Sequence, residues 1–66
     1  MNISNKEAVV NITGDRHTAV EIANWCRSKS LIHDVDYKWY MTSINNIVFE
    51  FRELSDATVV KDQWAT

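Results

Sequence analysis

Residues 37–64 read YKWYMTSINNIVFEFRELSDATVVKDQW, and the rhythm of this stretch decides the fold. Trp39 and Met41 alternate with Lys38, Tyr40 and Thr42. After Asn45 and Asn46 the beat resumes, with Ile47, Phe49 and Phe51 set against Val48, Glu50 and Arg52. Alternation of period two is the mark of strands that bury one face. Asn tolerates the left-handed backbone that tight hairpin turns use, so Asn45-Asn46 is expected to join the two strands. The beat stops at Leu54-Ser55-Asp56. Ser55 is expected to cap a helix there, with Asp56 in its first turn favoured by the helix dipole. Leu54 and Val59 have the spacing of a hydrophobic staple. Ala57, Val60 and Trp64 then share one side of a short helix, which would be marginal alone and must dock on the sheet.

Working back from this stretch, Glu7 to Thr13 reads as a first strand. Ala8, Val10 and Ile12 lie on one face, and Val9, Asn11 and Thr13 on the other. Gly14 allows a sharp exit from that strand, and Asp15 is placed to cap the helix that follows. This helix is expected from Arg16 to Lys29, with Ala19, Ile22, Ala23 and Cys26 forming one apolar stripe and Val20 and Trp25 on its flanks. Leu31 is expected to fold back onto the core. His33-Asp34-Val35-Asp36 is a polar connection to the second strand, and residues 1–6 read as a loose end.

The element order is therefore βαββα. The expected fold class is α+β, a three-stranded antiparallel-type sheet with two helices packed on one face. The continuous run Ile47-Val48-Phe49 puts the third strand in the middle and the first at an edge. A single small domain over residues 1–66 is expected.

Size limits what such a domain can do. A chain of 66 residues buries only about 60% of its unfolded surface, and Cys26 has no second cysteine to pair with. A lone cysteine, an N-terminus without the apolar core of a signal peptide, and no apolar run of membrane-spanning length all point to a cytoplasmic protein. The formal charge is −2, which argues against a general nucleic-acid footprint. The charge is uneven: residues 1–33 carry four Lys or Arg against three acids, and residues 34–66 carry three against six.

Candidate chemistry is sparse. His33, Asp34 and Asp36, even with His17, lack the spacing of a metal site and read as a solvated turn. Cys26 lies in the apolar stripe, which suits a buried core residue rather than a nucleophile with His17 or His33 as its base. Glu50 and Glu53 have no pocket around them, and a domain with one small core leaves little room for a cleft. No enzymatic activity, metal or cofactor is expected. What stands out is the sheet face away from the helices, where Tyr40 and Val48 sit with Lys38, Glu50 and Arg52. These five residues are the candidate binding site, on a semi-apolar surface that a protein partner could cover. Two alternatives use the same architecture. Single-stranded nucleic acid could stack on Tyr40 with Lys38 and Arg52 on phosphates, and the bare sheet edge at the first strand could form a structural homodimer.

The ending Phe51-x4-Asp56-Ala57-Thr58-x2-Lys61-x2-Trp64 resembles the strand-into-helix ending of small phage-encoded accessory proteins of unassigned role. It covers about a fifth of the chain. The resemblance implies a class of action only: binding a host protein and inhibiting or redirecting it.

Overall fold

The computed structural model describes residues 8–65. Within them run β1 (Val9–Thr13), α1 (Arg16–Ser28), β2 (Tyr37–Ser43), β3 (Asn46–Phe51) and α2 (Leu54–Trp64). The sheet order is β1-β3-β2, with both outer strands antiparallel to β3. This is the α+β arrangement that the alternation implies, with the Ile47-Val48-Phe49 strand in the centre. The expected loose end at residues 1–6, and Glu7 as the start of the first strand, lie outside the described residues.

Register explains the two faces. Val10, Phe49 and Trp39 lie side by side across the sheet, as do Ile12, Ile47 and Met41. These residues, with Phe51 and Tyr37, face the helices. Ala19, Ile22 and Cys26 of α1 and Ala57 and Val60 of α2 close over them in one buried cluster. The Phe49 ring is stacked between its neighbours, 5.8 Å from Trp39, 5.9 Å from Phe51 and 6.2 Å from Tyr37. α2 packs on β1 and β3. Trp39 and Met41, on the outer strand β2, are only half-buried.

The ends of α1 are locally specified. The Thr18 N–H donates to Asp15 Oδ1 at 3.2 Å, as expected of the cap. At the other end Ser30 adopts a left-handed φ of 65°. Its N–H donates to the Arg27 carbonyl at 3.0 Å, and the Leu31 N–H donates to the Cys26 carbonyl at 3.0 Å. This is a Schellman stop, usually made by glycine, and it turns Leu31 back against the core. A serine there carries a steric cost of roughly 1 kcal/mol that glycine would not. Inside the stripe, Cys26 is fully buried. Burial first, and then the nearby Asp56 charge, push its thiol up to about 12, so it stays protonated at neutral pH.

Three local details refine or correct the expectations. Gly14 makes its exit between β1 and α1 without a left-handed backbone. It is needed for space, because a Cβ there would come within 2.9 Å of Thr18 Oγ1 and 3.0 Å of Thr18 Cβ. The hairpin turn is at Ile44 and Asn45 rather than Asn45-Asn46, and neither asparagine has a positive φ. With no primed turn to match the strand twist, the ladder takes an extra residue on β2 between Met41 and Ser43. Finally, α2 starts at Leu54 with Glu53 in the cap position and no side-chain capping bond. Ser55 therefore falls inside the first turn, and Leu54 and Val59 are both exposed rather than stapled. Upstream, the Arg52 N–H is held by the Asp36 carbonyl at 2.8 Å and the chain bends at Arg52 and Glu53, so the helix begins one residue before Ser55.

Trp64 docks as the apolar pattern requires, although it is half-buried rather than sealed. Its ring meets Trp25 edge-on, with centroids 6.2 Å apart and planes at 69°. This pair ties α2 to α1. Trp64→Ala should therefore cost about 2–3 kcal/mol, below the ~3–5 kcal/mol of a fully buried aromatic. A double-mutant cycle with Trp25→Ala, read by chemical denaturation, should return a coupling of about 0.5–1.5 kcal/mol. Strict additivity would show that the two rings do not support each other.

Candidate functional site

The face away from the helices is built by the alternate residues of the same three strands. Val9, Glu50 and Lys38 form one cross-strand row, and Asn11, Val48 and Tyr40 the next. Lys38, Tyr40, Val48 and Glu50, expected to share a surface, are thus brought together. Arg52 sits just beyond the end of β3.

Glu50 organises this face. From the central strand its carboxylate reaches β2 twice. Tyr40 donates its hydroxyl proton to Oε2 at 2.8 Å, and Lys38 Nζ lies 3.7 Å from Oε1. Lys38 stands directly opposite Glu50, and Tyr40 is on the diagonal, the two positions from which long side chains on one sheet face can meet. The bond to Glu50 is the main reason that the Tyr40 phenol is raised above its usual 10.0, with slight burial and the Glu50 charge adding to it. The tyrosine is therefore anchored by its polar end while 44% of its surface stays open to a partner.

Two expected members of the site have other roles in the structure. Val48 lies on this face but is only 5% exposed. It forms the floor between Asn11 and Tyr40 rather than a contact, because a central strand is flanked on both sides. Arg52 is engaged with Asp36, Nη1 to Oδ1 at 3.7 Å. Both cations proposed for phosphate contacts, Lys38 and Arg52, thus already face carboxylates.

Asp36 is a residue whose importance the sequence does not announce. Its Oδ2 accepts from the Ile32 N–H at 2.9 Å, its carbonyl accepts from the Arg52 N–H at 2.8 Å, and its own N–H donates to the Ile32 carbonyl at 2.8 Å. It clasps the 32–36 loop to the end of β3. Beside it an open groove of about 270 Å³ runs along Asp34, Asp36, Lys38, Glu50 and Arg52. His33 stays near Asp34, 3.3 Å from Nδ1 to Oδ2, and meets the Tyr37 ring edge-on. Among the described residues no group of three or more His, Cys, Asp or Glu could hold a metal ion, and no helix is long and apolar enough to cross a membrane.

A second surface escaped the sequence reading. Trp39, Met41 and Ile44 line an open groove of about 470 Å³ on the helix side of β2, rimmed by Asp15 and Arg16. Ile44 is 83% exposed at the hairpin tip. The signal was present: isoleucine is out of place among Ser43, Asn45 and Asn46 in a turn. Comparison of the chain with protein-family models, with curated proteins and with solved structures found no match.

The Tyr40–Glu50 bond can be read by titration. Tyr37, itself raised chiefly by burial, is first replaced by Phe so that one phenol remains. Followed by ultraviolet absorbance, Tyr40 should then ionise above 10.0, and Glu50→Gln should bring it back toward that value. The sign follows from the donor: the neutral hydroxyl gives its proton to the carboxylate, and ionisation loses the bond and sets two negative charges together. An unchanged midpoint in Glu50→Gln would remove Glu50 as the anchor.

Proposed function

We propose that this chain is a non-enzymatic protein-binding module whose partner covers the open sheet face around Tyr40. The observation that carries the reading is the anchored tyrosine. A large amphipathic ring, held by Glu50 at 2.8 Å and still 44% exposed, meets a partner with little conformational entropy left to lose. Val9, 39% exposed on the same face, extends the apolar area toward β1. Lys38, Glu50, Arg52 and Asp36 supply a charged rim whose pairs a partner can complement. Val48 supports the ring from below rather than touching the partner.

The non-enzymatic part of the proposal rests on side-chain chemistry. The Cys26 thiol is buried and protonated, and the Tyr40 phenol is held protonated, so neither offers a nucleophile at neutral pH. Nucleic acid is the weaker reading, since Lys38 and Arg52 would have to leave their carboxylates to reach phosphates. Following the resemblance in the 51–64 segment, the partner is a host protein in the cytoplasm that is inhibited or redirected when bound, as a phage accessory protein would do.

The test uses a variant that changes the face and spares the floor. Tyr40→Ala with Val9→Lys removes the ring and the adjacent apolar patch, and the new Lys stands opposite Glu50 without like-charge repulsion. Affinity capture with mass spectrometry should recover one protein with the wild-type chain. The variant should bind it at least about thirtyfold more weakly, the loss of a hot spot worth ~2 kcal/mol, while it stays folded by circular dichroism and loses no more stability than the ~1 kcal/mol of the Tyr40–Glu50 cross-strand pair. A partner that the variant retains at full affinity would move the interface off this face.

A further inference from the structure

The free edge of β2 is not uniform. The Asp34 N–H donates to the Tyr37 carbonyl at 2.7 Å, so that carbonyl points away from β3. In an antiparallel ladder the N–H and C=O of one residue point to the same side, and successive residues alternate. Lys38 and Tyr40 therefore turn their backbone groups inward, toward Glu50 and Val48. The Arg52 N–H follows the same parity when it reaches the Asp36 carbonyl. Trp39 and Met41 turn outward. The ladder irregularity comes only after Met41, so it leaves this alternation intact. With the 32–36 loop closing the edge at Tyr37, the open unit is the N–H and C=O of Trp39 and of Met41, placed evenly about Tyr40.

From this we infer that β2 is a self-pairing edge: a second copy of the chain docks antiparallel to it, with Tyr40 on the two-fold axis. Trp39 then lies opposite the partner's Met41. The Trp39 N–H donates to that residue's carbonyl, its N–H donates to the Trp39 carbonyl, and the two-fold repeats both bonds. No neighbouring register does as well. A slip of one residue sets inward-turned groups against outward-turned ones. A slip of two, in either direction, spends a pairing on Tyr37, whose carbonyl is occupied, or on Ser43, beyond the irregularity.

Side chains and charges agree with this occupant. Trp39 and Met41 are half-buried at the groove on the helix side. Across the axis the indole of one copy meets the thioether of the other, a favourable sulfur–aromatic contact. Lys38, the strand's one charged residue, faces the partner's Thr42 and is already compensated by Glu50 at 3.7 Å. The groove rim carries one charge of each sign, Asp15 and Arg16. Two copies thus meet without like charges opposed, and their sheets join into one.

Sedimentation equilibrium of the full chain over a wide concentration range should show monomer and dimer in exchange. Met41→Pro removes an N–H that β3 does not use, so the fold should persist while the dimer dissociation constant rises roughly tenfold or more. Cysteine substitution reads the register. Tyr40 falls in a non-hydrogen-bonded pair with its own copy, Cα atoms about 4.5 Å apart, within reach of a disulfide. Tyr40→Cys should cross-link on mild oxidation, whereas Lys38→Cys and Thr42→Cys should not; Cys26 is buried and does not compete. A strict monomer at every concentration would leave the edge to a strand of some other chain and overturn the inference. So would a dimer that Met41→Pro leaves intact, or cross-linking through position 38 or 42 in preference to 40. Should Met41→Pro fail to fold, the cross-linking pattern decides alone.

Discussion

The fold closes on the ring of Phe49. It stands at the middle of the central strand, fully buried, with Trp39 on one side and Val10 on the other. Tyr37, Phe51 and Trp39 all stack within 6.2 Å of it. Each of these aromatics buries a large area, and offset stacking adds to what burial provides. In a domain too small for a second layer of core, that row is the main reason for three short strands to hold one register. The helices then have a fixed surface to cover, and the small side chains Ala19, Cys26 and Ala57 let them approach it closely.

The same constraint fixes what stays open. Once Phe49 and its neighbours face the helices, Tyr40, Glu50 and Lys38 must face the other way, because strand side chains alternate. Once β3 takes the centre, β2 must be an edge. The chemistry of the open side follows from position: Glu50 on the middle strand is the only carboxylate of β3, and it gathers Tyr40 and Lys38 from the strand beside it. The anchored tyrosine and the outward backbone of Trp39 and Met41 are two consequences of one register, on the face and on the edge of the same strand.

Much of this was legible. The alternation from Trp39 to Phe51 and the Ala19–Ile22–Cys26 stripe are strong periodic signals, and they carry the element order, the central strand and the face that each residue takes. The grouping of Tyr40, Lys38 and Glu50 follows from those signals. What was hidden depends on partners distant in sequence. The run Ile47-Val48-Phe49 places its strand in the middle, but that Val48 is covered on the open face depends on the side chains beside it, Asn11 and Tyr40. Asp36 acts as a clasp through Ile32 and Arg52, so its role needs the loop and the end of β3 together. The positive φ expected in the hairpin lies instead at Ser30 and Asp34, where serine and aspartate take positions that usually go to glycine or asparagine. With no positive φ in the hairpin turn, the extra residue on β2 takes up the mismatch with the strand twist.

The central claim is that Phe49 locks both outer strands into one cooperative unit. Native-state amide exchange tests it most directly. By the ladder's alternation the Val48 N–H is bonded toward β2 and the Phe49 N–H toward β1. If the claim holds, both amides exchange only through global unfolding, with the same free energy as that measured by denaturation. A distinctly lower value at Val48 would mean that β2 peels away while β1 and β3 stay paired, and would contradict the account.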